Sequence, residues 1–160
     1  MGQRHKQTLD GRNFLLFDVT VSGHRIMCFC TQEGLERFLG AKEVSVDGTF
    51  FSCPSLFYQL LTESVVLEGL SLNVAYFLFP GKSRSKYVTA FQKFDEALRA
   101  CGRSSQLKIV RSDYELALIQ ALLYVFPGTR HRGCHFHFAQ AVWRKVRALG
   151  LPSLVRNIHT

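Results

Sequence analysis

The 160-residue sequence predicts one α/β domain built on a mixed sheet, and three observations carry that prediction. Apolar residues first recur at alternate positions through three successive runs between residues 43 and 79, and after Pro80-Gly81 the spacing changes to three and four. From there helix-like and strand-like segments alternate, which is the order of an α/β domain. Composition supports a packed core: 47% of the residues are hydrophobic and 20% charged. A chain of roughly 150 residues buries about 70% of its unfolded surface, so disulfides are not needed.

Residues 14–21 and 24–30, FLLFDVTV and HRIMCFC, are β-formers flanking Ser22-Gly23 and predict a hairpin about a two-residue turn. Thr31 is placed to cap a short helix over TQEGLERFLGA, with Leu35, Phe38 and Leu39 on one face and Gly40 at its end. Runs 43–51, 56–67 and 70–79, broken at Cys53-Pro54 and Gly69, predict an antiparallel meander. Tyr87, Phe91, Phe94, Leu98 and Cys101 then line one side of a long helix that Gly102 terminates. Residues 107–110 predict a short buried strand, and residues 114–125 an apolar helix halted by Pro127-Gly128. A further strand is expected within 129–134, and a last helix over 137–149 with Phe138, Val142, Val146 and Leu149 inward.

A right-handed crossover through the long helix lays the 107–110 strand parallel to a meander strand, and the first meander strand is the expected neighbour. The organisation expected is a polar segment over 1–13, a hairpin and short helix over 14–42, and the core over 43–160.

Twenty Lys and Arg against twelve Asp and Glu give a formal net charge of +8, which favours a polyanionic partner. The excess is uneven. Residues 47–80 contain no Lys or Arg, whereas residues 116–160 contain six basic residues and no carboxylate. Five cysteines at irregular spacing make a poor disulfide framework and suit a nuclear or cytoplasmic setting. The polar start carries no apolar signal core, and no apolar run approaches the ~20 residues of a membrane span.

Two carboxylates stand out. Alternation places Val44, Val46, Gly48 and Phe50 on one face of a strand and Ser45, Asp47, Thr49 and Phe51 on the other. A mid-strand Asp is costly unless it serves a purpose, although Asp47-Gly48 also reads as a hairpin turn. Asp113 lies where a short strand ends and a helix begins. Ser112 or Asp113 would serve as that helix's N-cap, with Glu115 complementing the dipole. Side by side on adjacent strands, Asp47 and Asp113 would repel unless they shared a cation. Hard oxygen ligands of that kind suit Mg2+ or Mn2+ together with substrate phosphate, and therefore phosphoryl transfer.

In RHRGCHFHF, Cys134 and His137 have the spacing of half a zinc site, with His131, His135 and His159 as further imidazoles. A buried Cys and a helix-start His explain the same spelling. Arg144, Lys145 and Arg147, beside Trp143 on the last helix, and Arg132 form either a solvated basic face or a phosphate-contacting one.

DGTF at 47–50, a proline soon after, YQLLTESV at 58–65, SDYELALIQAL at 112–122 and FPGTRHRGCHFHFAQAVWRKV at 126–146 together resemble the Mutator-like element (MULE) transposase domain. The resemblance runs from near Phe14 to the end of the chain. It implies a ribonuclease H-like fold and metal-dependent DNA strand cleavage and transfer by a triad of acids. Asp47 matches the first acid and Asp113 the second, with Mg2+ or Mn2+ as cofactor, and Cys134 and His137 match the family's Cys-x2-His motif. The third acid, a Glu expected on a later helix, has no counterpart within 116–160. The expectation is therefore a core incomplete at its C-terminal side, from a longer transposase or a host protein derived from one. DNA is the expected partner, with any self-association through regions outside this chain. A noncatalytic nucleic-acid-binding or protein-interaction module on the same fold is the alternative.

Overall fold

A computed structural model of the chain describes residues 6–49 and 53–150. The predicted hairpin is strands β1 (Leu15–Val21) and β2 (His24–Cys30), joined through Ser22 and Gly23, both in the left-handed region at φ 51° and 76°. That pair of positive φ values gives the turn whose twist matches antiparallel strands. Helix α1 (Gln32–Gly40) follows. Thr31 caps it, its hydroxyl accepting from the Gly34 N–H at 3.0 Å, and Leu35, Phe38 and Leu39 are buried as the spacing predicts.

The meander comprises β3 (Glu43–Thr49), β4 (Gln59–Leu67) and β5 (Leu70–Phe79). Strand β4 starts later than its apolar run. Residues 54–58 turn instead, with the Phe57 N–H donating to the Pro54 carbonyl, and Leu56 and Tyr58 stay exposed. Proline fixes φ and starts the turn, which outweighs the β-propensity of the residues after it. Phe50 and Phe51 lie outside the described residues.

Helix α2 (Arg84–Ala100) buries Tyr87, Phe91, Phe94 and Leu98, and ends at Gly102 with φ 69°. Strand β6 (Ile109–Ser112) lies two residues later than the apolar run suggests. Helix α3 (Leu116–Val125), strand β7 (Arg130–Gly133) and helix α4 (His135–Ala148) complete the order.

The described strands form a seven-stranded sheet in the order β1-β2-β5-β4-β3-β6-β7, in which β6 runs parallel to β3 and β7 parallel to β6. The first meander strand is thus the neighbour of β6, as expected. Helices α1, α2 and α3 cover one face. Phe38 of α1 meets Phe94 of α2 edge-on at 5.1 Å, and Phe77 of β5 meets Phe91 and Phe94 at 5.6 and 5.5 Å. Phe126, just after α3, joins Phe38 at 5.9 Å. Such edge-to-face contacts add to the burial that drives the core.

Helix α4 departs from expectation. It forms, but Phe138, Val142 and Leu149 are exposed at 52%, 46% and 58% rather than turned inward. Amphipathic spacing dictates a helix with an apolar stripe and leaves open what covers that stripe. The other three helices already occupy the opposite face, and only the first turn of α4 reaches the sheet. Among the described residues no helix is long and apolar enough to cross a membrane.

Candidate active site

Strand alternation places Val44 and Val46 in the core, with Ser45 and Asp47 on the sheet's outer face. Asp47 therefore sits in a strand, and the Asp-Gly hairpin reading is overturned: Asp47 pairs with Thr62 and Gly48 with Leu61 in the β3–β4 ladder. Gly48 packs closely against β4. A Cβ there would overlap the side-chain amide of buried Gln59.

Parallel β3 and β6 align Val44 with Val110 and Ser45 with Arg111. Two residues beyond the last pair stand Asp47, still within β3, and Asp113, just past the end of β6. The Glu43 carboxylate pairs with Arg111 across the same two strands and helps hold the register. Asp113 ends β6 by a different device from the predicted cap. Its Oδ1 accepts from the Glu115 N–H at 3.2 Å, a local turn, and Glu115 itself takes the N-cap position of α3 without a capping side-chain bond. The reason is geometric: an Asp side chain closing a turn on the residue two positions later competes with the cap role.

Asp47 borders an outer-face groove of about 430 Å³ that also includes Thr62, Ser64, Arg111, Cys134 and His137. Its side chain is 62% exposed, and Oδ1 lies 3.6 Å from His137 Nε2. The first turn of α4 thus brings His137 of the Cys-x2-His segment to Asp47. Nearby, the Ser112 hydroxyl lies 2.9 Å from both His131 Nε2 and the Asp113 carbonyl. Burial pushes the His131 imidazole below its ordinary range, with the Asp113 charge opposing it, which favours a neutral ring.

Among the described residues no three or more His, Cys, Asp or Glu side chains gather as a metal site. A structural zinc site wants four ligands, so Cys134 and His137 remain half a set here, and His159 lies outside the described residues. Mg2+ asks for less. It keeps several waters and is commonly held by one or two carboxylates plus substrate phosphates, the donor type that Asp47 and Asp113 carry.

The family model described as the MULE transposase domain matches residues 43–141, from the first residue of β3 into α4. The chain belongs to the MULE transposase domain family. No curated protein matches the chain. Both acids of this MULE transposase domain and its Cys134-x2-His137 segment fall inside the matched stretch. The basic residues Arg144, Lys145 and Arg147 lie just beyond it, exposed on α4, and Arg132 is exposed on β7.

Three side chains behind the acids escaped the sequence reading. Gln59 was one residue of a strand, Tyr87 one aromatic of a helix face and Glu115 a dipole partner. The available signal was polarity at core spacing. A Tyr among Phe residues on an inward face carries a hydroxyl that must find a partner, and Tyr87 finds Glu115 Oε1 at 2.8 Å.

Proposed function

We propose that this domain is the metal-dependent catalytic core of a transposase with ribonuclease H-like architecture, acting on DNA phosphodiesters. The observation that supports it best is the parallel β3–β6 pairing, whose last pair, Ser45 and Arg111, lies two residues before Asp47 on one strand and two before Asp113 on the other. Three antiparallel strands followed by two parallel ones beside the first is also the strand pattern expected of such a fold. Bound between the acids, Mg2+ or Mn2+ would supply charge stabilisation to a reacting phosphate and activate an oxygen nucleophile. The protein's own part is positional. Asp47 faces the groove, Asp113 is held by its turn, and Arg132, Arg144, Lys145 and Arg147 offer cations for the flanking phosphate backbone. Residues 116–160 contain no carboxylate that could serve as a third acid.

Calorimetric titration with Mn2+ tests this reading. The wild-type protein is expected to bind, and Asp47→Asn with Asp113→Asn to weaken binding at least ~100-fold, because hard cations lose their charged ligands. Equal binding by the double variant contradicts the reading.

The exposed basic residues of α4 favour a second reading, a noncatalytic DNA-binding module. It predicts DNA affinity that survives loss of both acids, and a log-log salt slope that falls by about one per phosphate contact removed in Arg144→Ala, Lys145→Ala and Arg147→Ala. Metal-dependent cleavage that requires Asp47 would rule this reading out.

A further inference from the structure

Behind the two acids runs a chain of polar side chains through a mostly apolar layer. Gln59 and Tyr87 are 2% and 0% exposed. The Gln59 amide lies against the Cα of Gly48, immediately after Asp47. Gln59 Oε1 is 3.1 Å from the Tyr87 hydroxyl, which is in turn 2.8 Å from Glu115 Oε1. Glu115 closes the chain on the other side: its backbone N–H donates to Asp113 Oδ1, and its Oε2 accepts from Lys82 Nζ at 2.7 Å. A tyrosine has one hydroxyl proton, so the shorter bond to the carboxylate takes it, and the Gln59 contact is completed when the amide turns its NH2 group toward the phenolic oxygen.

Packing does not explain these residues. The Tyr87 ring fills its place against Phe79, at 4.9 Å, and Phe91, at 6.3 Å, and a Phe would do the same. Gln59 points to the same core face as Leu61 and Val65. Burying a polar group is costly unless it is hydrogen-bonded, so the hydroxyl and amide are in the core for the bonds they make. The two Tyr87 bonds and the packing of Gln59 on Gly48 connect the end of β3 next to Asp47 with the turn after β6 that holds Asp113, beyond the last paired residues of those strands, Ser45 and Arg111.

We propose that Gln59, Tyr87 and Glu115 are positioning residues, a buried brace that fixes the Asp47 strand end relative to the Asp113 turn. The proposal rests on the metal-site reading for its purpose, but the brace itself is testable without metal. The experiment is amide hydrogen exchange on the metal-free 160-residue protein, wild type against Tyr87→Phe, followed by Mn2+ titration of both. Tyr87→Phe keeps the ring contacts. It is expected to speed exchange on the order of tenfold at 47–49 and at 113–115 together, with residues 90–98 of α2 unchanged, as loss of one buried hydrogen bond implies. Mn2+ affinity is expected to fall by roughly five- to tenfold, a modest loss because both ligands remain.

Exchange that changes on neither side, or on one side only, overturns the brace whatever the metal result. Two-sided exchange with unchanged Mn2+ affinity leaves a structural bond and overturns the positioning role. Where wild-type protein binds Mn2+ independently of Asp47 and Asp113, the functional reading fails, and with it the positioning role, while the exchange pattern still decides whether the brace exists. Should Tyr87→Phe fail to fold, Glu115→Ala, whose side chain is 16% exposed, is expected to give the same two-sided pattern.

Discussion

Raising the pH from 5 to 9 is expected to strip several kcal/mol of stability from the wild-type fold, and Glu63→Leu is expected to abolish most of that loss. Glu63 lies on β4 between Leu61 and Val65, is 1% exposed, and neither carboxylate oxygen has a hydrogen-bond partner. Burial pushes its carboxyl up to about 8 from an ordinary 4.5. Between those two values the folded chain holds a proton that the unfolded chain has released, so stability falls as pH rises through this window. Below the unfolded value there is no penalty, and above about 8 it is complete. At about 1.4 kcal/mol for each pK unit the full effect is on the order of 5 kcal/mol. Leucine replaces an uncompensated carboxyl with an apolar group of similar size, so the variant should be more stable at every pH and nearly flat between 5 and 9. Denaturant titrations at several pH values read this directly. A wild-type profile as flat as that of the variant would contradict the buried, unpartnered placement of Glu63.

Phe77→Ala is expected to cost roughly 3 to 5 kcal/mol, the usual range for a buried Phe truncated to Ala. Phe77 is fully buried on β5 and contacts Phe17, Phe79, Phe91 and Phe94, so its ring links the sheet to α2. A domain of this size has ~5–15 kcal/mol in total, so the variant should melt many degrees lower or fail to accumulate folded. A change below 1 kcal/mol by denaturant titration would mean that the aromatic cluster does not carry the sheet–helix interface. The consequence for function is indirect: with α1, α2 and α3 packed on one face through these rings, the opposite face keeps Asp47 accessible.

The elements that depend on local chemistry were legible in the chain. Ser22-Gly23 demanded a tight hairpin, Thr31 demanded a cap, and the shift of period after Pro80-Gly81 marked the long helix. Handedness of the crossover implied a parallel partner for β6 within the meander, and the first meander strand, expected as that partner, is the one that pairs. Non-local choices were less legible. Asp113 had two local roles available, cap or turn, and the position of Glu115 decided between them. The apolar stripe of α4 was visible, but nothing in its spacing names a covering surface, and the structure leaves Phe138 and Val142 exposed. Glu63 was readable in principle, since alternation puts it on the same face as Leu61 and Val65. The brace was not, because Gln59, Tyr87 and Glu115 are brought together only by the sheet and α2 meeting.

Paramagnetic broadening by Mn2+ in the isotope-labelled protein reports where the ion sits. Sub-stoichiometric Mn2+ is expected to erase amide signals first around residues 47–49 and 112–114, at the ends of β3 and β6, and Asp47→Asn with Asp113→Asn is expected to restore them. Broadening centred instead on the α4 residues that follow His137, or spread evenly over the surface, would contradict a metal site shared by Asp47 and Asp113.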